Sequence, residues 1–423
     1  MKEPIVTEEM IPRAFLVEIR DAKTSVHEAN SAARELEGLV KTLGLEIVSR
    51  ETVTIREKNV RYGMGSGKAE ELAQKAASLE ADCIIFDCNI SPSQQRNWED
   101  LSGISAIDRQ ELIIQIFASR ARTKEADLQI SLAELTYALP RLRHKYFDLS
   151  RQRGGSYGSK GSGETRFETD RRRVEQRIER LEEELDEVKR QRGVQRKQRE
   201  RQGIPVCALV GYTNAGKSSV LNALTGADVL TEDKLFATLD STSRRLALPL
   251  GMQVLLIDTV GFISRLPHSL INAFRSTLEE VRLANILLNI LDASDPDVEK
   301  QYKTTLSVLE DLGAGSIPMI TVLNKIDLLE SSTLESLQKT FPDCAVVSAS
   351  NGQGLPELCS RIESDLSGSS LRFRFPPERP DLAAMVHRSG HVISEKYGDN
   401  FIEMEARIDE RSAGQLKEYQ IND

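Results

Sequence analysis

Cysteine is scarce in this chain and badly placed for cross-linking. The five copies, Cys83, Cys88, Cys207, Cys344 and Cys359, are odd in number and have no C-x-x-C spacing. Most lie in apolar, strand-like runs, so they read as buried free thiols rather than disulfide partners or zinc ligands, which fits a reducing compartment. Long apolar runs are missing too. None approaches the ~20 residues that cross a bilayer, and Met1-Lys2-Glu3-Pro4 opens no signal-peptide pattern. A soluble, cytoplasmic protein without a membrane span, monomeric in solution, is the expectation. A catalytic cluster of Cys, His and Asp is also lacking outside the centre of the chain. His387 and His391 stand four apart, but Ser389-Gly390 interrupts the helix they would need and no further ligand is spaced to join them.

Positive charge is in deficit overall, with a formal net charge of −9. Taken alone, that argues against a nucleic-acid partner. The average hides a local excess: residues 141–202 hold 19 Lys and Arg against 12 Asp and Glu, a net of +7, while the remainder holds 37 against 53, a net of −16. An acidic body with one basic element points to a polyanion met through that element.

What the chain does have is a phosphate loop. Gly211-Tyr212-Thr213-Asn214-Ala215-Gly216-Lys217-Ser218 follows the strand-forming run Val206 to Val210 and precedes a helix. The pattern G-x-x-x-x-G-K-[ST] wraps phosphates in backbone N–H groups, with Lys217 on the β/γ oxygens and Ser218 giving a hydroxyl to magnesium. Asn324-Lys325-Ile326-Asp327 follows a second apolar run, Ile317 to Leu323. An Asp327 carboxylate at the end of a buried parallel strand can accept from guanine N1–H and the 2-amino group together, donors that adenine does not present, so GTP is favoured over ATP. Ser348-Ala349-Ser350 sits where a backbone N–H could meet guanine O6.

The magnesium and switch elements come in order. Asp258-Thr259-Val260-Gly261 ends the strand Val254 to Ile257, placing the carboxylate near the metal, through water, and the Gly261 N–H near the γ-phosphate. Between the phosphate-loop helix and a strand expected over Arg245 to Leu250 lies Phe236-Ala237-Thr238-Leu239-Asp240, where Thr238 leads Thr231, Thr242 and Ser243 as the second hydroxyl on magnesium. Lys217, Thr238 and Gly261 are the candidate catalytic set.

A chain of 423 residues is too long for one core. The expected class is multidomain α/β. Residues 1–105 alternate strand-like and helix-like patterns: Ala14 to Ile19, a helix near Ser31 to Leu43, Leu45 to Thr54, a helix near Lys68 to Leu79, Cys83 to Phe86, and a helix from Ser91. The loop Gly63 to Lys68 imitates a second nucleotide site, but Tyr62 and Ala69 stand where Gly and Ser/Thr are needed, and a tight turn before a helix explains it.

Residues 106–202 read as an antiparallel helical hairpin. Ile114, Ala118, Ala121, Leu128, Leu132, Leu135, Leu139 and Leu142 form one seam, and Val174, Ile178, Leu181, Leu185 and Val188 the other, with Pro140 expected to kink or end the first helix. Its tip is basic and glycine-rich. Arg151, Arg153, Lys160 and Arg166 can neutralise phosphates and Tyr157 can stack on an unpaired base, which makes the tip a candidate RNA probe, a flexible solvated loop being the plainer alternative. Residues 203–370 form the P-loop GTPase domain, a mostly parallel sheet with helices on both faces. Residues 371–423 form a small C-terminal α+β domain, with a helix at Leu382 to Val386 and a strand at Phe401 to Ile408.

The motifs resemble those of the HflX family of ribosome-associated GTPases along nearly the whole chain. The resemblance is carried by Ser91-Pro92-Ser93-Gln94-Gln95-Arg96-Asn97, Arg120-Ala121-Arg122-Thr123, Gly163-Glu164-Thr165, Glu168 to Arg173, Gly211 to Ser218, Phe236 to Asp240, and Asp258 to Ile263. Arg153, Ser162 and Ser241 depart from the family's usual Gly, Pro and Pro. The resemblance implies binding to the large ribosomal subunit and its rRNA, with the hairpin reaching toward the peptidyl-transferase centre and the GTP or GDP state controlling affinity, often in splitting or rescuing ribosomes. Mg2+ is the implied cofactor. Asn214 resembles the asparagine of potassium-dependent GTPases, which makes K+ a second candidate.

Phe262 follows Gly261, where well-known small GTPases use a glutamine to orient water; a phenyl ring cannot, so slow intrinsic hydrolysis, stimulated by the ribosome, is expected. A G-domain enzyme acting on tRNA, and a nucleotide-gated rRNA-binding or assembly factor, are the competing classes.

Overall fold

A computed structural model describes residues 11–57, 59–152, 162–201, 204–226, 234–239, 242–265, 275–367, 370–398, 400–408 and 410–421. By packing, the chain divides into two units. One takes Met1–Lys189 with Glu232–Leu239 and Arg265–Arg275; the other takes Arg190–Thr231, Asp240–Ser264 and Ser276–Asp423. All five cysteines are free thiols, with Cys83 and Cys207 buried. Among the described residues no helix is long and apolar enough to cross a membrane.

The first unit begins with β1 (Arg13–Asp21), α1 (Val26–Leu43), β2 (Glu46–Ile55), α2 (Ser66–Ser78), β3 (Cys83–Phe86), α3 (Pro92–Ser102), β4 (Ser105–Ile107) and α4 (Arg109–Arg120). Its four strands make one parallel sheet in the order β2-β1-β3-β4. Helix α1 starts earlier than the apolar spacing indicates, because Ser25 and Glu28 form a capping box that fixes the first turn. The same device opens α3, where Ser91 and Gln94 satisfy each other's backbone N–H groups and Pro92 occupies the first turn.

Helix α3 then braces the glycine loop. The Gln94 and Asn97 side-chain amides donate to the Asn59 and Arg61 carbonyls at 3.3 and 2.8 Å, and the indole N–H of fully buried Trp98 donates to the Tyr62 carbonyl at 3.1 Å. Sheet pairing continues past residue 105, where the sequence pattern ends the first domain, because β4 pairs with β3 over Ser105–Ile107. Ile114, Ala118 and Ala121 lie on α4 and its C-cap, a helix separate from the hairpin arm with which they share a spacing.

The arms are α5 (Lys124–Gln152) and α6 (Ser162–Arg201). They pack through Leu128, Leu132 and Leu135 against Leu181, Leu185 and Val188. Pro140 lies inside α5 and does not end it. Its neighbour Arg141 pins the helix: Nε donates to Gln95 at 2.8 Å, the guanidinium meets Asp108 at 3.1 Å and lies 3.4 Å over the Tyr137 ring, and Tyr137 donates to Glu111 at 3.0 Å.

The second unit is built on β5 (Val206–Gly211), α7 (Lys217–Thr225), β6 (Thr242–Ala247), β7 (Gln253–Asp258), α8 (Arg275–Arg282), β8 (Ile286–Asp292), α9 (Val298–Asp311), β9 (Met319–Asn324), α10 (Ser331–Thr340), β10 (Ala345–Val346) and α11 (Leu355–Ser367). The sheet runs β10-β9-β8-β5-β7-β6, parallel except for β6. Its strands read as continuous apolar runs because both faces are covered. Leu209, Leu288 and Ile290 pack with Val220, Leu221 and Leu358 on one face, and Leu291 and Leu323 with Val298 and Phe341 on the other.

After it come β11 (Ser370–Phe375), α12 (Pro380–Ser389), β12 (Gly390–Gly398), β13 (Phe401–Ile408), α13 (Glu410–Gln415) and β14 (Gln420–Ile421), with an antiparallel sheet ordered β12-β13-β11-β14. The alternation along β13 sends Ile402, Met404, Ala406 and Ile408 into a core with Phe373, Phe375 and Val386. His387 pairs with Glu395 at 3.1 Å.

A cluster of buried charges lies inside the first unit. Arg109, at the start of α4, meets Asp87 at 2.7 Å and also contacts Glu35, with all three side chains largely removed from water. Burial pushes the Asp87 carboxyl above its usual range, and Arg109 and then Arg265 pull it back. Arg109→Met would strip the main counter-charge from two buried carboxylates, so a loss of about 3–5 kcal/mol is expected. The check is the urea midpoint for the first unit, followed by far-ultraviolet dichroism; an unchanged midpoint would mean that water already solvates these carboxylates.

Candidate functional site

Four parallel strands of the second unit end side by side at Gly211, Asp258, Asp292 and Asn324, the edge of such a sheet where ligands bind. The loop after β5 reaches this edge through two glycines. Gly211 has φ 137, and a Cβ there would lie 2.2 Å from the Ile290 carbonyl oxygen; Gly216 has φ 91, and its Cβ would lie 2.2 Å from the Asn324 amide nitrogen. Only glycine permits both approaches. Asn214, between them, also takes a positive φ of 64.

Inside the loop Lys217 is 6 % exposed, and its ammonium donates to the carbonyls of Tyr212 and Gly211 at 2.8 and 3.3 Å. Desolvation lowers its pKa to about 8, and Asp258 opposes the shift. The Ser218 hydroxyl donates to the Asp258 carboxylate at 2.6 Å. A hydroxyl and a carboxylate this close are hard oxygen donors that fit Mg2+. Thr259 anchors its strand end by donating to the Leu209 carbonyl at 2.6 Å, and Val260 is buried behind it. Gly261 lies so near the loop that a Cβ would come within 2.8 Å of the Lys217 ammonium.

One part of the phosphate cradle differs from the sequence reading. The Thr213 N–H is committed to the Phe262 carbonyl at 2.8 Å, and Phe262 N–H donates back to Gly211 at 3.0 Å, so the amide of Thr213 holds two loops together and does not face a phosphate. The neighbouring side chain reinforces the clip, with Tyr212 Oη 2.7 Å from the Ser264 hydroxyl and accepting from the Ser264 N–H at the same distance.

The base end is assembled by cross-links between loops. Asn324 donates to the Ala215 carbonyl at 3.0 Å and accepts from the Ala349 N–H at 3.1 Å, tying the phosphate loop to the Ser348-Ala349-Ser350 turn. Asp327 accepts from Ser348 at 2.5 Å, and Ser348 and Ser350 hydroxyls are 3.0 Å apart. The Ser348 hydroxyl is the main reason that the Asp327 carboxyl is held below its usual range, ionised and ready to accept. Lys325 has φ 63 and pairs with Asp292 at 2.6 Å.

Phe236, Ala237, Thr238 and Leu239 pack with the first unit, and Ser218 and Asp258 belong to the second. Phe236 is buried edge-on against Phe117, with ring centroids 4.7 Å apart, and the Leu235 N–H donates to the Thr42 hydroxyl at 3.2 Å. Thr242 and Ser243, considered as metal donors, are the first residues of β6. Asp240, and also Thr231, Arg153, Tyr157 and Lys160, lie outside the described residues; Arg151 and Arg166 fall within α5 and α6, their side chains likewise outside the description.

Known proteins match this chain along most of its length. Residues 30–118 match the model described as GTP-binding GTPase N-terminal, 120–199 that described as GTP-binding GTPase Middle Region, and 206–325 that described as 50S ribosome-binding GTPase. The GTPase HflX of Akkermansia muciniphila is 45% identical over 412 residues, covering 94% of each chain. The chain belongs to the HflX family of GTPases. Its similarity to the HflX of Caldanaerobacter subterraneus is 44% over 398 residues, covering 94% of this chain and 91% of that one. With the HflX of Escherichia coli it is 40% over 359 residues, covering 84% of each. GTP hydrolysis is thus the activity, and the multidomain α/β architecture around a mostly parallel G-domain sheet is the expected one.

Two residues of this HflX-type site escape a motif reading. Ser264 follows the Asp258 to Gly261 motif by three positions and matters only through Tyr212. Asp292 was within reach: it ends the apolar run Ile286 to Leu291 in register with Asn324, which is the argument that located Asp258.

Because burial lowers the Lys217 pKa to about 8, binding an anionic nucleotide should restore its proton. Calorimetry of GDP binding at pH 8, in two buffers of different ionisation enthalpy, should reveal uptake of about half a proton, shrinking as pH falls toward 7. Equal heats in both buffers would contradict the lowered pKa.

Proposed function

We propose that this GTPase binds the large ribosomal subunit according to whether GTP or GDP fills its site, and acts in the cytoplasm in splitting or rescue of ribosomes. The observation that carries this reading is the +7 charge of residues 141–202 on an otherwise acidic chain, which gives a guanine-nucleotide site one element able to enter RNA. It is supported by the description of the model that matches residues 206–325, a 50S ribosome-binding GTPase.

In the proposed site, Gly211 to Ser218 surround the phosphates, Asp258 to Gly261 reach the γ-phosphate, and Asn324, Lys325, Asp327 and Ser348 to Ser350 hold guanine. Mg2+ would sit on Ser218, on Asp258 through water, and on Thr238, and would there spread the charge that builds on the β and γ oxygens. Lys217 adds a positive charge to the same oxygens, and the Gly261 N–H donates to the γ-phosphate. Phe262 is buried and carries no polar side-chain atom, so the position after Gly261 cannot orient water. Hydrolysis by the chain alone is therefore slow, and it rises when the subunit orders the missing donors. Asn214 is the residue that would hold K+ in place of an arginine.

Turnover of GTP by the purified chain should increase on adding large subunits and be higher in potassium than in sodium chloride; full speed without subunits would refute the slow-site reading, and equal rates in both salts would remove K+. Pelleting with purified subunits should show more protein bound with a non-hydrolysable GTP analogue than with GDP, falling as salt rises. Arg153→Glu and Lys160→Glu should weaken pelleting and leave GTP affinity intact. Subunits that ignore the protein in either nucleotide would overturn the ribosomal role, and nucleotide-gated binding without faster turnover would favour an rRNA-binding assembly factor.

A further inference from the structure

Thr213 is the one phosphate-loop residue whose polar side chain is buried without use. The residue is 6 % exposed, and its hydroxyl has no hydrogen-bond partner among the described residues. A buried hydroxyl left unpaired costs free energy, so a group that pairs with it when bound is favoured there. The backbone cannot supply the loop's usual donor at this position, since the Thr213 N–H already serves the Phe262 carbonyl. The hydroxyl is the only donor that Thr213 has left.

Its surroundings identify the acceptor. A Cβ built on Gly261 would lie 2.8 Å from Thr213 Cα, 2.9 Å from Thr213 Cγ2 and 2.8 Å from the Lys217 ammonium. Thr213, Lys217 and Gly261 therefore converge on one point, and the latter two are the groups that address the terminal phosphate of a nucleoside triphosphate. A threonine side chain turns its hydroxyl between staggered wells without moving the backbone. We propose that the Thr213 hydroxyl donates to a γ-phosphate oxygen, giving the site a contact that GTP makes and GDP lacks. The loop would then sense the third phosphate from two sides, with the Gly261 amide on one and Thr213 on the other. This does not depend on what the hairpin binds.

Thr213→Val keeps the shape and removes the donor, while Thr213→Ser keeps the donor. Affinities for GDP and for a non-hydrolysable GTP analogue, measured by nucleotide fluorescence at fixed Mg2+, should part company. Valine should lower the preference for the triphosphate over GDP ~10-fold or more, as expected for a lost hydrogen bond to a charged group, and serine should keep the parent's preference. If valine leaves both affinities as they are, or weakens both equally, or if serine fails as valine does, the hydroxyl has no selective role and the proposal falls.

Discussion

A buried ammonium group organises the ligand edge of the second unit. Lys217 is held in carbonyl oxygens of its own loop, with Asp258 as the charge that offsets its desolvation. That position requires the loop to curl tightly between β5 and α7, which in turn requires the left-handed turn at Gly216 and the close passage of Gly211 along Ile290. Every further element answers to the same curl. Asn324 grips it through Ala215, Phe262 grips it through Gly211 and Thr213, and Ser218 is delivered to Asp258 at its end.

Preorganisation of this kind puts the donors in place before the ligand arrives. The Asp258 carboxylate offsets only part of the cost of desolvating this cation, which leaves its pKa lowered and a place for an anionic ligand to supply the rest. At the Asp327 end the logic is reversed: the carboxylate is kept ionised by the Ser348 and Ser350 hydroxyls. The two ends are linked through Asn324, a single side chain that touches both the phosphate loop and the Ser348 to Ser350 turn.

In the first unit the ordering interactions are also ionic, but they fix elements and not a ligand. Arg109 fastens α4 to Asp87, just past β3, and to Glu35 in the middle of α1, and Arg141 fastens α5 to α3 and α4. The segment carrying Thr238 joins this unit through Phe236, whose positive φ of 55 is uncommon for a bulky side chain and is held by its packing on Phe117. Arg265 joins it through Asp87.

Local patterns determined a good deal here. The phosphate loop, Asp258 to Gly261 and Asn324 to Asp327 were legible because their chemistry demands particular residues at short spacing, and the leucine seam of the hairpin because helices repeat every few residues. Strands of the G domain were visible as apolar runs, since a sheet covered on both faces needs no alternation. What pairs with what was decided only in three dimensions. The reach of the first sheet into β4, the redirection of the Thr213 amide to Phe262, and the membership of Phe236 to Leu239 in the first unit all depend on contacts between residues tens to hundreds of positions apart. Hydrogen bonds and ion pairs of that range leave no periodicity in a sequence; they exist only once the backbone has brought both partners to the same place.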